Sequence, residues 1–180
     1  MKLWIVRHAK PLIDSGVCYG ALDIAADATH TSQAARTLAQ TLPVHCKVRV
    51  SPLQRCKQLA DALSGIRPEL KSQTDMRLRE MDFGAWEGVA WDAIPLVAMQ
   101  AWTDDFGAHR FGGVESANEV LARVASLWDE AQQQPEENQV WITHAGVARA
   151  VQLLSQGIRS VDTAIQWPKD APGYGQWWLY

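Results

Sequence analysis

Apolar residues fall into two rhythms along this chain. The short apolar run Leu3–Val6, bounded by charge, predicts a fully buried strand, Val48–Val50 a second strand and Val140–Thr143 a third apolar one. Other stretches carry apolar residues at helical spacing: Ala34, Ala35, Leu38 and Leu42 within Thr31–Leu42, then Leu53, Cys56, Ala60 and Leu63, then Val147, Val151 and Leu154. A longer helix is marked by Val120, Val124, Leu127 and Ala131. Ser51-Pro52 reads as an N-cap followed by proline at the first helical position. Residues 10–30 read as irregular, punctuated by Pro11, Gly16 and Gly20. Strand followed by helix, three times over, predicts an α/β protein: a three-layer sandwich with a mostly parallel central sheet and helices on both faces. Segment 81–115, rich in Gly, Asp and Trp, interrupts the rhythm and reads as a cap inserted into one domain spanning 1–180.

Composition narrows the classes. At 180 residues, 47% apolar and 21% charged, the chain can bury a core without disulfides or metal, and it is neither disordered nor collagenous. Its three cysteines, Cys18, Cys46 and Cys56, have no C-x-x-C spacing, so neither a zinc site nor a disulfide framework is indicated. Leu3–Val6 is too short for a signal peptide, and no uncharged apolar run approaches a membrane span. A cytoplasmic protein without a membrane partner is expected.

The net charge of -3 conceals an asymmetry: residues 1–79 hold twelve Lys/Arg against six Asp/Glu, whereas residues 80–137 hold two against twelve. A broad basic face is thereby excluded and nucleic acid is not an expected partner, while a local anion site remains possible.

Candidate chemistry stands at the carboxyl ends of the three strands. Arg7-His8 follows the first, Ser51 and Arg55 follow the second, and His144-Ala145-Gly146 follows the third. Ligands of open α/β sheets bind at that edge, so separate segments would deliver two histidines and two arginines to one place. Guanidiniums match the oxygens of phosphate, the helix opening at Pro52 would add N–H groups, and an imidazole among them can act as a nucleophile. Each piece also has a plainer reading: a hydrogen-bonded structural histidine, a solvated arginine, a cap. For a proton donor, Glu80 lies between apolar residues before a Gly-rich turn, where burial would raise its pKa; a salt bridge to Arg79 is the plainer reading, and Asp82 is the reserve acid. No C-x5-R thiol motif, P-loop or G-x-G-x-x-G is present, and His30, His45 and His109 are too scattered for a binuclear metal site. No metal or cofactor is expected. His109-Arg110 could touch substrate from the cap.

The ordered set Val6-Arg7-His8-Ala9, Ser51-Pro52-Leu53-Gln54-Arg55, Leu78-Arg79-Glu80 through Gly84-Ala85-Trp86-Glu87-Gly88, Gly113 to Ser116, and Thr143-His144-Ala145-Gly146 resembles the histidine phosphatase superfamily, in its phosphoglycerate mutase-like branch. Val17-Cys18-Tyr19-Gly20 with Asp23, the short chain and the Trp-rich close resemble bacterial alpha-ribazole phosphatase-like proteins, which implies a place in cobalamin biosynthesis. The resemblance implies a phosphoglycerate mutase-like fold, a His8 that becomes phosphorylated, phosphoryl oxygens held by Arg7, Arg55 and a protonated His144, and Glu80 as acid and then base. Ala145, Lys10, Tyr19 and Gly20 join the expected substrate-binding set. Ala9 stands where glycine is usual, which is harmless if its φ is negative. Lys10 and Asp14 also depart from the pattern and bear on substrate choice.

The expected reaction is metal-independent hydrolysis of a small phosphomonoester, with alpha-ribazole 5'-phosphate as the narrow candidate. A mutase would share these residues, and a non-catalytic phosphate-binding relative is the non-enzymatic alternative. Trp86, Trp91 and Trp102 could stack on an aromatic base or could simply pack the cap. Trp167, Trp177 and Trp178 are expected in the core or an edge strand, where a homodimer contact is conceivable.

Overall fold

In the computed structural model, which describes residues 2–180, strand β1 (Leu3–Arg7) lies between β4 (Gln139–Thr143), which pairs with it in parallel, and the antiparallel β5 (Trp177–Leu179). Beyond β4 follow β2 (Lys47–Val50) and β3 (Ser72–Thr74), both parallel, so five strands run in the order β3-β2-β4-β1-β5. Alternation along β1 explains the double burial. Leu3 and Ile5 join Trp141 in a core under α4 (Ala117–Gln132) and α5 (Ala145–Ser155), while Trp4 and Val6 join Val140 and Ile142 under α1 (Ala28–Thr41) and α2 (Gln54–Ile66). Helices therefore cover both faces, as the continuous apolar runs require.

Three local expectations are corrected. Helix α1 starts inside the stretch read as irregular, because Asp27 caps it by accepting the His30 N–H at 2.7 Å. Helix α2 opens at Gln54 and not at Pro52; the Gln54 N–H is capped by Asp23 Oδ1 at 2.7 Å, which frees Ser51 for another partner. Strands β3 and β5 were not expected as sheet members, although an edge strand was among the readings of Trp177 and Trp178.

Segment 81–115 holds two short 3-10 turns, Gly84–Trp86 and Trp91–Ala93, and helix α3 (Leu96–Asp104). These surround Phe111: Trp102 stacks on its ring at 4.3 Å between centroids, with Trp91 parallel at 6.1 Å and Trp86 at 5.9 Å. Helix α4 then starts in a capping box, Ser116 and Glu119 each accepting the other's backbone N–H. Among the described residues, no helix is long and apolar enough to cross a membrane.

Candidate active site

The neighbouring order of β2, β4 and β1 brings three separated segments to one sheet edge. The His8 N–H donates to Thr143 O at 3.0 Å and the Ser51 N–H to Ile142 O at 3.0 Å, which places Arg7-His8, Ser51 and His144 side by side. The His8 and His144 rings lie 5.1 Å apart, both buried. His8 Nδ1 is 2.7 Å from Ala9 O. A carbonyl only accepts, so Nδ1 carries the proton and Nε2 keeps its lone pair. Burial, then the charges of Arg55 and Arg7, push the His8 pKa down to about 3. A neutral imidazole with one bare nitrogen results. Ala9 suits the site because no non-glycine residue among those described has a positive φ.

His144 Nε2 is 2.7 Å from Ser51 Oγ, the partner that Ser51 takes instead of capping a helix. Burial, with Arg55 and His8 nearby, holds the His144 pKa well below its usual value. These neighbours favour the neutral form of the His144 imidazole, against the protonated form expected of it as a phosphate ligand.

Arg7 donates to Pro172 O at 3.1 Å and lies 4.0 Å over the Tyr174 ring. The segment that carries Tyr174 is latched across the end of β1, since the Gly175 N–H reaches the carbonyls of Arg7 and His8 at 3.1 and 3.0 Å. Arg55 is fully buried on the first turn of α2. Its terminal nitrogens donate to Leu22 O at 2.8 Å and Gly20 O at 2.6 Å, which leaves Nε without a partner. Loop 20–22 is in turn held by Glu87, whose carboxylate accepts the N–H groups of Gly20, Ala21 and Leu22 at 2.9, 2.9 and 3.1 Å and of Phe83 at 2.9 Å. Gly20, expected in the substrate-binding set, donates its N–H to Glu87 and accepts from Arg55, and a Cβ there would collide with the Met81 carbonyl. Its carbonyl helps to place Arg55.

Glu80 faces the start of α5. Oε2 accepts the Gly146 N–H at 3.0 Å and Oε1 the Met81 N–H at 3.1 Å, while Arg79 turns toward Glu115. The salt bridge to Arg79 is thus not formed. Arg7, His8, Tyr19, Glu80, Ala145 and Gly146 share a cavity of about 300 Å³. Its remaining walls include Met81, Phe83, Trp91, Trp102, Phe106 and Trp167, and also Arg149. Arg149 and Tyr174 were missed in the sequence. Arg149 lies four residues after Ala145 on α5, so helical spacing alone could have found it. It donates to Lys169 O at 3.0 Å and has no carboxylate partner among the described residues.

Other expected residues lie elsewhere. Asp82 accepts the Gly84 N–H at 2.8 Å and closes a turn. Lys10 and Asp14 line an open neighbouring groove, together with Tyr174, that shares Arg7, Tyr19 and Trp91 with the cavity. Arg110 pairs with Glu119, and neither it nor His109 lines the cavity. Of the tryptophans, Trp91 and Trp102 line it, Trp86 packs on Phe111 outside it, and Trp167, expected in core or edge strand, lines it as well. Acids of the middle segment are largely spent on arginines: Glu115 on Arg123, Glu119 on Arg110, and Glu130 on both Arg49 and Arg77.

The fold is thus an α/β protein whose mostly parallel sheet brings two buried imidazoles and the guanidiniums of Arg7 and Arg55 to one carboxyl edge, where ligands of such sheets bind. Residues 3–163 match the model of the histidine phosphatase superfamily (branch 1), and the chain belongs to that family. It is a phosphatase of the histidine type. Its fold is similar to that of mycobacterial glucosyl-3-phosphoglycerate phosphatase, with 24% identity and a TM-score of 0.81 over 99% of this chain and 88% of the other. The complex of that protein with inorganic phosphate gives 25% identity and a TM-score of 0.79 over the same shares. TTHB049 from Thermus thermophilus is 28% identical, with a TM-score of 0.73 over 99% of this chain and 92% of the other. No curated protein matches the chain.

Proposed function

We propose that the chain hydrolyses a small phosphomonoester by double displacement at His8. The observation that carries this reading is the His8 Nδ1–H···O Ala9 hydrogen bond, which leaves Nε2 as a bare nucleophile beside Arg7, Arg55 and His144. Nε2 attacks phosphorus in line, and the bond to the ester oxygen breaks as Glu80, in its acid form, gives that oxygen its proton. Arg7, Arg55 and His144 hold the equatorial oxygens, and a bound phosphate dianion favours the protonated form of His144. Water then attacks the phosphohistidine, loses its proton to the Glu80 carboxylate, and frees inorganic phosphate and neutral His8. The guanidiniums and His144 supply the charge stabilisation that magnesium gives in other phosphoryl-transfer enzymes.

On this reading segment 81–115 is a cap whose aromatic side chains close the leaving-group side of the site. The narrower candidate is alpha-ribazole 5'-phosphate. Its support is the resemblance around Tyr19, Gly20 and Asp23 and an aromatic cavity wall able to meet a planar base.

With p-nitrophenyl phosphate in excess EDTA, the wild type is expected to release nitrophenol steadily, while His8→Ala is inactive. Activity only after addition of a divalent metal, or equal activity in His8→Ala, overturns the reading.

A further inference from the structure

Arg7 stands beside the nucleophile without a carboxylate partner among the described residues. Two contacts hold its guanidinium, and both come from the closing segment. Pro172 O accepts from Nη1 at 3.1 Å, the centre of the Tyr174 ring lies 4.0 Å from Cζ, and Nε is buried without a partner. An arginine side chain is rich in rotamers, so one carbonyl on one nitrogen would leave the guanidinium plane free to turn. A flat ring beneath it removes that freedom.

Tyr174 is itself fixed by its surroundings. Its hydroxyl meets that of Tyr19 at 3.1 Å, its ring stands 5.7 Å from the His8 ring, and the N–H of the next residue, Gly175, reaches the carbonyls of Arg7 and His8. Gly175 has a φ of +71°, and a Cβ there would lie 2.7 Å from Ala34 Cβ on α1, so only glycine lets the segment close down on that helix. Tyr19 in turn presents its ring to Arg55, at 5.5 Å from centroid to Cζ. Two tyrosines that meet through their hydroxyls thus each offer a ring to one of the two guanidiniums. Burial, then the bond to Tyr174, pushes the Tyr19 hydroxyl above its usual range, so that hydroxyl stays neutral at physiological pH.

From this juxtaposition we infer that Tyr174 is a positioning residue for Arg7, and that with Tyr19 it braces the pair of guanidiniums that receives the phosphoryl group. The inference rests on the phosphatase reading above and adds a residue from the closing segment to its phosphate site. The negative face of the ring attracts the cation from below, whereas an oxyanion takes the N–H groups at the edge of the guanidinium, in its plane. Ring and phosphate therefore use different parts of Arg7 and do not compete.

The test is calorimetric titration of inorganic phosphate into the wild type, Tyr174→Leu and Tyr174→Phe, with the leucine change repeated in an Arg7→Met background. Tyr174→Leu is expected to bind phosphate roughly tenfold more weakly, the factor that a cation–π contact supplies. Tyr174→Phe keeps the ring face and is expected within about threefold of the wild type. In Arg7→Met, itself a weaker binder, Tyr174→Leu is expected to add no further loss, because its effect runs through Arg7. If the leucine variant does not fold, Tyr174→Met, which also lacks a ring, carries the same expectation. Wild-type affinity in the ringless variant, an equal loss in Tyr174→Phe, or a further tenfold loss in the Arg7→Met background overturns the positioning role while leaving phosphatase chemistry intact. A wild type that neither binds phosphate nor releases it from p-nitrophenyl phosphate overturns that chemistry, and the inference with it.

Discussion

Glu80 and Gly146 fit each other closely: the carboxylate accepts the glycine N–H at 3.0 Å, and a Cβ at position 146 would lie 2.3 Å from Glu80 Oε1, inside van der Waals contact distance. The constraint comes from the carboxyl end of Glu80 and not from the backbone, since the glycine's φ is not in the left-handed region. Gly146→Ala should therefore push Glu80 off its position and lower kcat by on the order of 100-fold, the usual worth of a placed proton donor. Steady-state kinetics on Gly146→Ala, Glu80→Gln and the double variant should show that the two losses do not add. Wild-type kcat in Gly146→Ala would remove Glu80 from the reaction.

Glu87 lies one step further back, holding the loop whose carbonyls fix Arg55. In Glu87→Gln one acceptor oxygen becomes an NH2 group facing N–H donors, so the loop loses half its clamp. Weaker competitive inhibition by inorganic phosphate is expected, by roughly tenfold, together with faster hydrogen exchange at residues 20–22. Unchanged phosphate inhibition would show that Arg55 keeps its place without the clamp.

Stability should depend on pH through the two neutral histidines. An unfolded histidine titrates near 6.5, whereas burial and Arg55 lower His8 to about 3 and hold His144 well below its usual value. Below pH 6.5 the unfolded chain takes up protons that the folded chain refuses, so stability is lost as pH falls from 6.5 toward 3. Well below 6.5 the slope is about 1.4 kcal/mol per pH unit for each histidine. Urea unfolding of the wild type between pH 7 and 5, compared with His8→Asn and His144→Gln, should show each variant with a shallower loss. Parallel slopes in all three proteins would contradict the burial of neutral imidazoles.

Much of this site is legible in the sequence because strand ends announce it. His8, Ser51 and His144 each stand just past a short strand-like segment, and a parallel sheet gathers such ends on one edge. The misreadings have physical causes. Ser51-Pro52 carries a generic cap signal, but the tertiary partner His144 outbids the helix terminus, and Asp23, distant in sequence, caps α2 instead. Strand β3 is three exposed polar residues, Ser72–Thr74, held by pairing to β2 rather than by an apolar face. Tyr174 and Trp167 belong to a closing segment without periodicity, placed by contacts such as the Gly175 N–H with Arg7 and His8 that no local pattern encodes. The charge asymmetry is real, yet several of the acids counted in the middle segment serve as partners for arginines, Arg49 and Arg77 of the first segment among them.

The most direct measurement is a rapid acid-free quench of the enzyme with a 32P-labelled phosphomonoester, followed by mapping of the labelled residue. The account requires an acid-labile, base-stable phosphoryl group on His8 of the wild type and none on His8→Ala. Equal labelling of His8→Ala, or a base-labile label on another residue, would contradict it.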